Sequence, residues 1–131
     1  MSPLPKILVA DDDPLVPRIT AKALGRKGWQ VVTAPQADQA LALARAEAPD
    51  AITLDLHLPG GDDLTLLARL KADTATASIP VIVVSGDVDQ GTAATKAGAF
   101  AFLAKPVDLE ALYRTLCDAT GIEYGGPLGV G

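Results

Sequence analysis

The sequence predicts an α/β domain built on an open, parallel, five-stranded sheet. Three observations predict it. Short apolar runs alternate with helix-like stretches five times in one rhythm, as βαβ crossovers require. Three of those runs are nearly continuous in apolar residues, which marks strands buried on both faces. The chain, at 131 residues, is the length of one ordinary domain.

The apolar runs are Ile7-Leu8-Val9-Ala10, Val31-Val32-Thr33, Ile52-Thr53-Leu54, Val81-Ile82-Val83-Val84 and Phe100-Ala101-Phe102-Leu103. The first, third and fourth are the continuous ones, so they belong in the middle of the sheet. Between the first two, Asp13-Pro14 reads as an N-cap followed by proline at the first helical position, where a missing N–H does no harm. That helix is expected to end at Arg26-Lys27-Gly28, with cations in its last turn and a glycine free to turn left-handed. A second helix spans about Ala37 to Ala48 and stops at Pro49. A third follows Asp62-Asp63, whose carboxylates suit a helix N-terminus. A fourth, from about Asp89 to Ala97, contains Gly91 with several Ala and Thr, and is expected to be loosely held. A fifth begins near Asp108 and places Leu109, Leu112, Tyr113 and Leu116 on one face. Residues 1–120 thus form the domain, and 121–131, rich in Gly, read as a flexible tail carrying no further domain.

Composition narrows the function classes. A net charge of −5, from 16 acidic and 11 basic side chains, disfavours direct binding to nucleic acid, which rests on displacing counterions with Lys and Arg. The single cysteine, Cys117, excludes an internal disulfide and suits a reducing compartment. No apolar run approaches a membrane span and the start has no secretory pattern, so a cytoplasmic protein is expected. Only five residues are aromatic, so the core is built chiefly from Leu, Val, Ile and Ala. Trp29, between the first helix and second strand, reads as a packing lid.

Open parallel sheets bind ligands at the carboxyl ends of their strands. Here those ends carry Asp11-Asp12-Asp13, Asp55, Ser85 and Lys105-Pro106. Carboxylates crowded together repel unless a cation relieves them. Mg²⁺ is suited to oxygen ligands and to phosphoryl groups, with Ser85 and Lys105 left to meet the remaining phosphoryl oxygens. Asp55 is the natural nucleophile, because carboxylates form aspartyl phosphates.

Four segments carry a family resemblance: Ile7-Leu8-Val9-Ala10-Asp11-Asp12-Asp13-Pro14, Leu54-Asp55-Leu56-His57-Leu58-Pro59-Gly60, Val83-Val84-Ser85-Gly86, and Gly98 through Pro106. In this order and spacing, over residues 6 to about 119, the chain resembles the receiver domain of bacterial response regulators, such as the chemotaxis receivers. The resemblance implies a flavodoxin-like sandwich with strand order 2-1-3-4-5 and five helices. It implies that Asp55 is the phosphoacceptor, and that Asp11, Asp12, Asp55 and the backbone carbonyl of His57 hold Mg²⁺. Ser85 and Lys105 would contact the phosphoryl group, and Pro106 would follow a cis peptide bond. Phe102 would be the aromatic that changes rotamer on switching, set against the plain alternative of a core residue. Asp13 is read as a cap and not a ligand, and the His57 ring as an exposed loop side chain. Asp63 departs from the glycine usual at that place.

The implied partners are a sensor histidine kinase or phosphotransfer protein and a downstream protein target, with no direct nucleic acid and no membrane. The domain would be a switch that phosphorylates and dephosphorylates itself, not a turnover enzyme. A degenerate receiver that is never phosphorylated is the first rival, and the complete set of acids, Ser85 and Lys105 speaks against it. A flavodoxin-type cofactor protein is the second; it needs a hydroxyl- and glycine-rich phosphate loop where this chain has three carboxylates.

Overall fold

In the computed structural model, which describes residues 4–60 and 64–129, the buried runs become the inner strands of one sheet. The strands are β1 (Lys6–Ala10), β2 (Gln30–Ala34), β3 (Ala51–Asp55), β4 (Val81–Ser85) and β5 (Ala101–Ala104). All neighbours are parallel, in the order β2-β1-β3-β4-β5. The helices are α1 (Leu15–Gly25), α2 (Ala37–Glu47), α3 (Thr65–Ala72), α4 (Gly91–Lys96) and α5 (Leu109–Thr120), with a 3₁₀ turn, Val88–Gln90, leading into α4. This is the flavodoxin-like fold that the sequence predicts.

Side-chain alternation divides the core into two layers. Leu8, Ile52, Leu54, Val81 and Val83 point to the face covered by α2, α3 and α4. Ile7, Val9, Ala51, Ile82 and Val84 point to the opposite face, where Leu24, Trp29, Leu112, Tyr113 and Leu116 of the α1 and α5 side meet them. Every residue of β3 and β4 is buried, while β2 and β5 at the edges are partly exposed. Trp29 is buried edge-on against Tyr113, with centroids 5.7 Å apart, as a packing residue should be.

The helix ends follow the chemistry read from the sequence, with small shifts. Pro14 already has helical angles, and the Asp13 carboxylate accepts from the Leu15 N–H at 2.8 Å, so Asp13 caps α1 in substance. The α1 exit closes on Gly28 at φ +80°, with Trp29 N–H returning to the Leu24 carbonyl. Asp108 caps α5 by accepting from the N–H groups of Glu110 and Ala111. Asp62 and Asp63, the expected start of the third helix, lie outside the described residues. The fourth helix buries only Ala94, so its weak sequence pattern has a physical counterpart.

Residues 121–129, the described part of the expected tail, lie along α5. Ile122, Tyr124 and Leu128 pack on the α1–α5 side of the core, and both Tyr124 and the Leu128 N–H engage Glu110. The residues that engage this segment are on other elements, which its glycine content does not reveal.

Candidate functional site

Parallel strands that start on one edge finish on one edge, so the carboxyl ends of β1, β3, β4 and β5 deliver their last residues to a single crevice. Asp55 ends β3 and is 6% exposed; Asp11 follows β1 and is likewise 6% exposed. Buried carboxylates need fixed partners, and here each has two. Asp55 Oδ1 accepts from the His57 N–H at 3.0 Å, and its Oδ2 from Lys105 Nζ at 3.1 Å. Asp11 Oδ1 accepts from the Asp13 N–H at 2.9 Å, and its Oδ2 from the same Lys105 Nζ at 3.3 Å. Lys105 therefore bridges the tips of β1 and β3 from its place just beyond β5.

Asp12 is exposed, yet a carboxylate oxygen from each of Asp11, Asp12 and Asp55 lies within 4.8 Å of the others. Three hard oxygen donors at that separation, open to solvent on the Asp12 side, fit a small divalent cation such as Mg²⁺. Burial holds the Asp11 carboxyl above the usual carboxylate range, against the Asp13 amide and Lys105, which favour its charged form. Lys105 shows the reverse balance. Burial disfavours its charge most, but the bonds to Asp55 and Asp11 outweigh that and raise its pKa. The crevice is thus short of positive charge: one ammonium serves two buried carboxylates, with a third beside them.

Ser85 is fully buried at the end of β4. The register pairs Asp55 with Val84, so Ser85 sits one step past the residue opposite Asp55. Its Oγ accepts from the Asp87 N–H at 3.1 Å, which leaves its own O–H to donate. The main chain of Ser85 accepts from Lys105 N–H at 3.0 Å, tying the two strand ends together. The Lys105–Pro106 peptide bond is cis. The His57 ring is exposed, while its N–H holds Asp55. Phe102 is not brought to the carboxylates. It is half-buried on the α4 side of β5, where a Cβ added to Gly91 would meet its Cδ1 at 3.4 Å.

Sequence reasoning missed the two main-chain amides, of Asp13 and His57, that orient the carboxylates. Backbone donors leave no trace in residue identity. It also assigned Lys105 to a phosphoryl group without anticipating that the lysine joins Asp11 to Asp55.

Known proteins share the sequence pattern and the fold. A sequence model of the response regulator receiver domain matches residues 7–116. Protein PilH of Pseudomonas aeruginosa is 36% identical over 114 residues, covering 85% of this chain and 93% of that protein. Transcriptional regulatory protein GlrR of Escherichia coli is 32% identical over 121 residues, covering 92% of this chain. The chain spans only 27% of the length of GlrR. Among solved structures, a CheY-like response regulator receiver domain protein from Methanospirillum hungatei superposes with a TM-score of 0.83 at 26% identity, covering 91% of this chain and 95% of that one.

Proposed function

Since the chain belongs to the response regulator receiver domain family, we propose that it is a phosphorylation switch of two-component signalling in which Asp55 accepts the phosphoryl group. The observation that carries this reading is the junction of Asp11, Asp12 and Asp55 under one lysine. A carboxylate at the end of a buried strand, pinned by the His57 amide, is a positioned nucleophile. Attack by an Asp55 oxygen on the phosphorus of a phosphohistidine forms the P–O bond as the P–N bond breaks. The electron pair returns to the imidazole of the donor.

Asp11, Asp12 and Asp55, together with the main-chain carbonyl of His57, would hold Mg²⁺, which when bound supplies positive charge to the transferring oxygens. Lys105 moves from the Asp55 carboxylate to a phosphoryl oxygen, a short exchange because the acceptor atom is attached to the same side chain. Ser85 donates its free O–H to another oxygen and draws the β4–α4 segment inward. Phe102 and the weakly buried α4 respond together, because the ring lies against Gly91 at the start of that helix. Such a change extends only as far as the two states differ in interaction energy.

By the same reading residues 1–120 are the receiver unit, and the site is a self-limiting switch and not a turnover enzyme. Its partners are a sensor histidine kinase or phosphotransfer protein and a downstream protein, in the cytoplasm. No helix among the described residues is long and apolar enough to cross a membrane. Incubation with acetyl phosphate and Mg²⁺, followed by peptide mapping, tests the assignment. One phosphoryl group is expected on the peptide that contains Asp55, and none in Asp55→Asn. Uptake at another residue, or undiminished uptake by the variant, would overturn it.

A further inference from the structure

Residues 121–129 make directed contacts with α5 and with the exit of α1 along much of their length. The phenol of Tyr124 donates to Glu110 Oε1 at 2.7 Å and accepts from Arg114 Nη2 at 3.0 Å. The Arg114 guanidinium lies 4.1 Å from the Tyr124 ring centre, and that ring stacks, tilted, on Tyr113 at 5.2 Å. Gly125 N–H donates to the Tyr113 hydroxyl at 2.9 Å, and Leu128 N–H to Glu110 Oε2 at 3.2 Å. Lys27 Nζ donates to the Gly125 carbonyl at 2.9 Å, and Arg26 Nη1 to the Gly129 carbonyl at 3.4 Å. The segment bends at Gly126 and is anchored by side chains at intervals and held by its main chain, as bound linear peptides are.

The seat has its own chemistry. Tyr113 lies against the segment, in the apolar cluster that also holds Trp29 and Leu116 and on which Ile122, Tyr124 and Leu128 pack. Three cations, Arg26, Lys27 and Arg114, face the strap, and one carboxylate, Glu110, faces it with them, leaving an excess of positive charge in a chain whose net charge is −5. The strap meets Arg26 and Lys27 with neutral carbonyls, whereas a carboxylate would make charge-assisted bonds roughly twice as strong. Beside Leu128 an open hollow of about 660 Å³ lies between Ala23 of α1, Arg26 just past its end, the start of α5 and the strap's own Pro127, Leu128 and Gly129.

We propose that the α1–α5 face beneath residues 121–129 is a peptide-recognition site, filled in cis by the chain's own strap, whose ligand in trans is a linear peptide with an aromatic anchor and a carboxylate. This site is separate from the phosphoryl chemistry and stands or falls independently of it. The strap acts as a competitor of fixed, high local concentration, so that only a peptide with better charge complementarity displaces it.

The probe is a fluorescein-labelled peptide of the sequence of residues 119–129, ending in a free carboxylate, which places a negative charge next to Arg26. Its anisotropy is followed against the full chain as wild type and as the strap-release variants Tyr124→Ala and Leu128→Asp. The release variants are expected to bind the peptide at least tenfold more tightly than wild type. The free acid should bind several-fold more tightly than the amidated peptide, and added salt should weaken it. Replacing the peptide's tyrosine by alanine should abolish binding. In wild type, excess free-acid peptide should lower the exchange protection of the Gly125 and Leu128 amides. Cooperatively folded release variants that bind no better than wild type would overturn the proposal. Loss of cooperative unfolding in both variants would overturn it too, since the segment would then belong to the core and not to a displaceable ligand.

Discussion

At the scale of single residues, Lys105 is the keystone of the site. It neutralises two carboxylates that burial would otherwise penalise. Lys105→Met should therefore lower stability at neutral pH by about 1–3 kcal/mol, and added Mg²⁺ should restore part of the loss by taking over the neutralisation. Chemical denaturation with and without Mg²⁺ measures this; a variant as stable as wild type would show that the ammonium contributes nothing. The residue scale is also where the sequence was most informative. Asp11, Asp12, Asp55, Ser85 and Lys105 each end an apolar run, and a parallel sheet has no choice but to bring such ends together. The orientation of the carboxylates was not legible, because the amides of Asp13 and His57 that set it belong to the backbone.

At the scale of elements, α2 and α4 carry the clearest consequences. Ala48 ends α2 in the left-handed region, at φ 44° and ψ 58°, and is exposed, so its methyl group adds strain with no packing in return. Ala48→Gly should stabilise the protein by about 0.5–1 kcal/mol in a thermal or denaturant melt; destabilisation would contradict the strain. The α4 segment is the opposite case. A 3₁₀ turn with no buried residue leads into a six-residue helix that buries Ala94 alone. Amides of residues 88–97 should exchange faster than those of α2 or α5, which hydrogen exchange at residue resolution would show. The inner strands and amphipathic α5 were readable from periodicity. Strap 121–129 was not, because its Gly and Pro carry no period and its anchors, Glu110, Tyr113 and Lys27, are distant in sequence.

At the scale of the molecule, the fold has two working faces: a crevice at the strand ends and the α1–α5 side covered by the strap. The strap's docking is tied to pH with a definite sign. The bond from Tyr124 holds the Glu110 carboxyl below its usual range, helped by the Leu128 amide, so its contribution is present at neutral pH and is lost as pH falls through that lowered value. The same bond raises the Tyr124 phenol, whose contribution is present at neutral pH and lost as pH rises through the raised value. The Leu128 amide resonance should therefore hold steady across neutral pH and move at both extremes; a shift centred near neutrality would contradict the assignment.

Calorimetric titration with Mg²⁺ decides whether carboxylates from the ends of β1 and β3 share one divalent ion. Wild type is predicted to bind one ion, with affinity at least about tenfold weaker in Asp12→Asn and in Asp55→Asn. Absence of binding to the folded wild type, or equal binding by all three proteins, would contradict the account.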